Sequence, residues 1–260
     1  MSKILAITNQ KGGVGKTTTS VNLAASLGAA KQRVLLIDLD PQGNATMGSG
    51  INKADLEATI YDVLLGEKTI AEARIKSDTC KYDVLPANRE LAGAEIELVD
   101  VEGREMRLKE ELEPVLHEYD YILVDCPPAL NLLTLNGLCA AKSVMIPMQC
   151  EYYALEGLSD LVNTIRKVRE NLNPDLEIEG LLRTMFDPRN ALAQQVSDQL
   201  QQHFGDKVYR TVIPRNVRLA EAPSFGIPAL YHDSQSKGTL AYLALAGEML
   251  NNATADQVAA

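Results

Sequence analysis

Along the chain, short uninterrupted apolar runs alternate with longer segments in which apolar residues recur every three or four positions. Ile4-Leu5-Ala6-Ile7, Val34-Leu35-Leu36-Ile37, Tyr121-Ile122-Leu123-Val124 and Ser143 to Pro147 are runs of the first kind. Such runs, bounded by charge or turn residues, predict strands buried on both faces. Asp83-Val84-Leu85-Pro86 and Ile178 to Met185 are further strand candidates, whereas residues 44 to 82 carry mixed patterns that predict no clear element. Helical spacing marks Val21, Leu23, Ala24 and Leu27, then Glu90 to Leu98, Glu102 to His117 and Leu132 to Ala140. It returns in a long amphipathic segment that stops near Asn173-Pro174, in Leu192 to Phe204 and in Leu240 to Leu250. Strands alternating with helices predict an α/β fold, a mainly parallel twisted sheet with helices on both faces. No repeat or linker divides the chain, so residues 1–250 read as a single domain and residues 251–260 as a flexible C-terminal tail.

The first run leads into Asn9-Gln10-Lys11-Gly12-Gly13-Val14-Gly15-Lys16-Thr17-Thr18, a glycine-rich turn between a strand and a helix. Glycines let several backbone N–H groups converge, and the helix N-terminus adds partial positive charge. Lys16 can reach the β- and γ-phosphates of a nucleotide, and Thr17 can ligate Mg²⁺. The spacing is that of a P-loop NTPase fold, with one departure: Gln10 stands where the ordinary loop begins with glycine, and Lys11 follows it. Lys11 is either a solvated turn lysine or a phosphate contact, within its own chain or across a dimer interface.

Two further strands end in acid. Asp38-Leu39-Asp40-Pro41-Gln42-Gly43-Asn44 and Asp125-Cys126-Pro127-Pro128 place carboxylates where open α/β sheets carry their chemistry. Strand alternation predicts Asp38 and Asp40 on one side, Asp40 orienting a water or its metal and Asp38 steadying Mg²⁺ through water. The competing reading makes both of them turn caps. Asp125 is assigned to the metal shell. Cys126 has no histidine near it in sequence to activate it, so it reads as a packed thiol.

Composition narrows the function. With 260 residues, 46% hydrophobic and 23% charged, the chain can bury a full core. No terminal apolar run is long enough for a signal peptide or a membrane helix, and four scattered cysteines without a C-x-x-C pair fit a reduced, cytosolic setting. The first strand starts at about Ile4, so no N-terminal DNA-binding extension is expected. A formal net charge of −10 argues against coating nucleic acid with the whole surface, yet basic residues gather between Asp187 and Arg218.

Taken together, these segments resemble the ParA/MinD group of deviant P-loop ATPases, and within it the Soj-type ParA proteins. Glu151-Tyr152-Tyr153-Ala154-Leu155 and Pro214-Arg215-Asn216-Val217-Arg218 complete the series in the family's order. The resemblance implies ATP and Mg²⁺ as cofactors, with Lys11, Gly12, Gly13, Val14, Gly15, Lys16, Thr17 and Thr18 around the phosphates. It implies that Lys11 reaches the ATP of the opposite subunit in a sandwich homodimer, and that Lys16 and Asp40 serve hydrolysis. Thr17, Asp38 and Asp125 would serve Mg²⁺, Glu151 would lie at the dimer interface, and Pro214 and Asn216 would meet adenine. Arg189 and Arg218 match positions that bind double-stranded DNA non-specifically. The function implied is chromosome or plasmid partitioning, with hydrolysis stimulated by a ParB-type centromere-binding protein, in the cytoplasm and on the nucleoid. A membrane-cycling relative of the MinD type needs a basic C-terminal helix, and residues 251–260 hold no lysine or arginine. An iron protein needs cysteines at a subunit interface, and a small-molecule ligase needs a second substrate pocket that the sequence does not reveal.

Overall fold

The apolar runs become the inner strands of one eight-stranded sheet in the computed structural model of the chain, which describes residues 2–77 and 80–259. In chain order the strands are β1 (Lys3–Ile7), β2 (Val34–Asp38), β3 (Ile75–Ser77), β4 (Tyr82–Leu85), β5 (Tyr121–Asp125), β6 (Ser143–Gln149), β7 (Glu177–Phe186) and β8 (Val208–Pro214). Across the sheet they run β3-β4-β2-β5-β1-β6-β7-β8, with every neighbouring pair parallel except β3 and β4.

Side-chain alternation divides the core between the two faces. Ile4, Ala6, Leu35, Ile37, Ile122, Val124, Val144 and Ile146 pack with the helices Leu132–Ala140 and Ala154–Asn171. Leu5, Ile7, Val34, Leu36, Leu123 and Met145 pack on the other side with Lys16–Ala29 and Lys237–Ala259. A strand buried on both faces has no polar position to give up, which explains the continuous runs. Each such Leu or Ile contributes about 1.5–3 kcal/mol by leaving water.

β1 lies between β5 and β6, so the chain leaves it toward one side of the sheet and later crosses to the other. The carboxyl ends of these strands form the crevice where doubly wound sheets bind ligands, and the glycine loop follows β1 there.

Several elements differ from expectation. The edge strands β3 and β8 are partly exposed and interrupted by polar residues, so sequence patterning passed over them. The predicted helix Glu102 to His117 starts only at Arg107, after a turn with Gly103 at φ 71°, and tightens into a 3₁₀ segment at Glu113–Glu118 that contains Pro114. Residues 44 to 82 hold the short helices Asn44–Gly48, Ile60–Leu65 and Ile70–Ala73, the last two opened by capping boxes from Thr59 with Asp62 and Thr69 with Glu72. The expected flexible tail is also helical, because Lys237–Ala259 is one helix. Residues 251–260 contain neither glycine nor proline, so nothing stops the helix at Leu250.

Candidate nucleotide-binding site

The loop between β1 and the helix Lys16–Ala29 turns through Gly13 (φ 73°) and Gly15 (φ 89°), left-handed conformations that suit glycine. No side chain caps the first helical turn, so its N–H groups stay available. A Cβ at Gly12 or Gly13 would meet nothing within 4 Å, so the loop opens onto unfilled space. The Thr184 hydroxyl donates to the Val14 carbonyl at 2.7 Å and pins the loop from β7. Lys16 is buried, its Nζ donating to the Lys11 carbonyl at 3.2 Å, and burial lowers its pKa against the fields of Asp125 and Asp40.

Asp38 and Asp125 are register partners on β2 and β5, and both are fully buried. Asp125 Oδ1 accepts from Ser20 Oγ at 2.9 Å, while its Oδ2 is buried without a partner. Asp38 accepts from the Thr46 N–H and hydroxyl, each at 2.8 Å, and from the Asp40 N–H at 3.1 Å. β2 ends at Asp38, so alternation does not govern Asp40, which turns the chain by accepting from the Gln42 N–H at 2.9 Å. Both turn-cap roles are thus realised, with Asp38 committed inward and Asp40 at the half-buried rim. Burial, then the charge of Asp38, raises the Asp125 pKa. Burial also raises that of Asp38, against the hydrogen bonds from Thr46 and Asp40.

An orphaned carboxylate oxygen beside the Thr17 hydroxyl and an open anion cradle suits a hard divalent cation. No group of three His, Cys, Asp or Glu side chains encloses a metal among the described residues. Such a cation would therefore take further ligands from a bound phosphate or water. Thr17 and Asp125 are the residues that fit it, and Asp38 stands beside Asp125 on the neighbouring strand, held by Thr46.

Next to Gly15 and Thr18 lies a mostly apolar cavity of about 150 Å³, lined also by Thr184, Met185, Pro214 and Asn216. Asn216 Oδ1 caps the helix Val217–Glu221 by accepting from the Leu219 N–H at 3.3 Å, which leaves the side-chain amide donor without a partner among the described residues. Tyr242, from the last helix, borders the cavity and shares a hydrogen bond of 3.0 Å with Thr19. Met185 holds φ 48°, a strained value for a side chain of its kind. Sequence reading missed Thr184, Met185 and Tyr242, which carry no motif. It also missed Ser20, whose only signal is its place four residues after Lys16, on the same helix face.

At the rim, Lys11 Nζ lies 2.6 Å from Glu151 Oε2, both side chains about half exposed. Tyr152 and Tyr153 follow, exposed and packed edge to face, and Leu130 is exposed in the loop after β5. The structure thus brings Lys11 to Glu151, away from its own cradle. Arg189 and Arg218 lie past the ends of β7 and β8, where Phe186 and Pro214 are register partners. All four cysteines are free and buried, and burial pushes the Cys126 thiol up, consistent with a packed group.

A glycine loop at the carboxyl end of a central parallel strand, two buried aspartates behind it and an apolar cavity beside it define a P-loop nucleotide-binding protein. The AAA domain family model matches residues 2–178. The sporulation initiation inhibitor protein Soj of Bacillus subtilis is 58% identical, over 97% of this chain and 100% of its own. The chromosome partitioning protein ParA of Myxococcus xanthus is 52% identical, over 98% and 90% respectively. The crystal structure of cobyrinic acid a,c-diamide synthase from Mycobacterium smegmatis with bound ATP analog and magnesium matches with a TM-score of 0.86 at 37% identity, over 98% of this chain and 96% of that one. The chain belongs to the ParA/MinD family of P-loop ATPases, in the company of Soj and ParA. Among the described residues no helix is long and apolar enough to cross a membrane.

Proposed function

We propose that the chain is a chromosome- or plasmid-partitioning ATPase whose ATP-bound homodimer holds double-stranded DNA without sequence preference. Hydrolysis, stimulated by a ParB-type centromere-binding protein, separates the subunits and releases the DNA. This cycle runs in the cytoplasm and on the nucleoid.

Lys11 carries the reading. It belongs to the phosphate loop, yet its ammonium sits at the rim with Glu151, beside exposed Tyr152 and Tyr153. A second subunit seated on that rim would exchange Glu151 for its own phosphate as the partner of Lys11, placing positive charge where phosphoryl transfer develops negative charge. Lys16 and the loop N–H groups hold the phosphates of the chain's own ATP. Thr17 and Asp125 would hold Mg²⁺, with Asp38 beside Asp125, and the ion would supply charge neutralisation at the phosphates. Asp40, at the open edge, orients the attacking water. Pro214 and Asn216, which line the apolar cavity, would meet the adenine base, the Asn216 amide supplying a polar group there. The names of the Soj and ParA relatives support the partitioning role.

Arg189 and Arg218 supply the phosphate contacts on DNA. With about two or three contacts per subunit, the dimer makes about five, and log K falls with log salt at a slope of about −4 to −5. One subunit on an acidic body offers half of that, so dimerisation acts as the switch.

The test combines sedimentation equilibrium with anisotropy of a labelled random-sequence duplex, in a non-hydrolysable ATP analogue and in ADP. Wild type pairs and binds DNA only with the ATP analogue. Lys11→Ala keeps nucleotide but does not pair productively, and the double variant Arg189→Glu/Arg218→Glu pairs without binding DNA. Unchanged DNA affinity in that double variant overturns the DNA assignment, and normal hydrolysis by Lys11→Ala overturns the trans role.

A further inference from the structure

The two arginines assigned to DNA are already occupied. Asp187 grips Arg189 in a two-pronged pair, Nε to Oδ1 at 2.9 Å and Nη2 to Oδ2 at 2.8 Å, and its Oδ1 also accepts from the Arg189 N–H at 3.0 Å. Arg218 is held from two sides, by Glu221 at 2.8 Å and by Asp233 at 3.3 Å. His232 Nε2 lies 3.7 Å from the same Glu221 oxygen and stacks on Phe225. Three carboxylates therefore face Arg189 and Arg218, and even with Arg215 counted the cluster named for DNA binding carries no net positive formal charge. Arg215, exposed between them in sequence and in the field of Asp187, has no ion pair among the described residues.

We propose that Asp187, Glu221 and Asp233 form a carboxylate screen that competes with DNA phosphate for Arg189 and Arg218 and keeps single subunits off DNA. The inference rests on the reading of those arginines as DNA contacts. A guanidinium pairs with a carboxylate or a phosphate through the same forked edge, so Asp187 competes with DNA for the Nε–Nη2 edge of Arg189, and Glu221 and Asp233 compete for Nη1 and Nε of Arg218. The screening carboxylate must also be displaced next to an incoming phosphate, which adds like-charge repulsion. One subunit gains little from that exchange. Two subunits on one duplex make the second exchange intramolecular, so the dimer overcomes a barrier that the monomer does not. The hydrogen bonds from Arg189 hold the Asp187 carboxyl down to about 2, so this carboxylate stays charged across the physiological range.

Asp187→Asn, Glu221→Gln and Asp233→Asn remove the charges and keep side-chain shape. Asn still accepts from the Arg189 N–H at position 187 and from the Gln235 N–H at position 233. The full-length triple variant is titrated against the labelled random-sequence duplex in ADP and in the ATP analogue, at stepped KCl concentrations. The expected result is DNA binding in ADP about tenfold or more tighter than wild type, and a narrower gap between the two nucleotide states. The single variant Asp187→Asn, in an exposed loop, gives a smaller gain of the same sign. Unchanged or weakened affinity in ADP overturns the screen and makes the carboxylates supports that orient the arginines. Arg189→Glu/Arg218→Glu in the ATP analogue separates the two readings. If that variant still binds DNA, the DNA site itself is wrong; if it does not, and the triple variant shows no gain, only the screen fails.

Discussion

At the phosphate end of the site, Asp38 and Asp125 are fully buried on adjacent strands, with no lysine or arginine in ion-pair contact among the described residues. Beyond the apolar cavity, Asp187, Glu221 and Asp233 are partly exposed, and each pairs with an arginine of its own chain. The difference is one of supply. Burying two carboxylates side by side is unfavourable, and the field of buried Lys16 offsets it only in part, so this end of the fold favours a cation. The exposed acids are satisfied already, and any incoming anion has to compete with them.

The contrast orders the expected effects of removing charge. Lys11→Ala should lower hydrolysis by about 10³-fold, the scale of a charge delivered from outside in phosphoryl transfer, and ATP turnover reads this directly. Lys16→Ala should weaken ATP about 10²-fold by removing a charge-assisted contact, as measured by titration with a fluorescent nucleotide. Asp125→Asn should stabilise the nucleotide-free protein by about 2 kcal/mol and make its melting temperature insensitive to added Mg²⁺ with nucleotide. A drop in melting temperature would instead mean that Asp125 is a structural acceptor. The pH response follows from the same pair. Their folded pKa values lie above the unfolded value, so the stability they contribute is present at acid pH and is lost as pH rises through the raised values. Thermal melts of the nucleotide-free chain should therefore fall toward neutral and alkaline pH, and Asp125→Asn should flatten that slope. Tyr242→Phe removes one buried hydrogen bond to Thr19 and should cost about 1 kcal/mol in chemical denaturation. Smallest of all, Asp187→Asn should leave the melting temperature where it is, because its pair is surrounded by water.

The phosphate end was legible in the sequence because each of its parts has a local signature. Burial on both faces writes itself as an apolar run, a glycine turn between strand and helix writes itself as Gly12-Gly13-Val14-Gly15-Lys16, and the aspartates sit at run ends. What the sequence does not encode locally are meetings between distant segments. Thr184 reaches Val14 from β7, Tyr242 reaches Thr19 from the last helix, and Met185 gains its role from a backbone twist rather than from its side chain type. Arg218 illustrates the boundary. Its neighbour Glu221 is visible at helical spacing, but Asp233 joins only through the fold. The edge strands were missed for the same reason, since a strand that is half exposed depends on its neighbours for definition.

The helix Lys237–Ala259 bears on the stability of the phosphate loop. Lys237–Ala259 packs against the helix that opens at the phosphate loop, and Tyr242 bonds to Thr19, while the Ala229 N–H donates to Asn22 at 2.8 Å. The helix that opens at the phosphate loop thus owes part of its packing to residues as far as 223 positions further along the chain. Unfastening the last helix should therefore loosen the phosphate loop as well, so the two should lose amide-exchange protection as one unit.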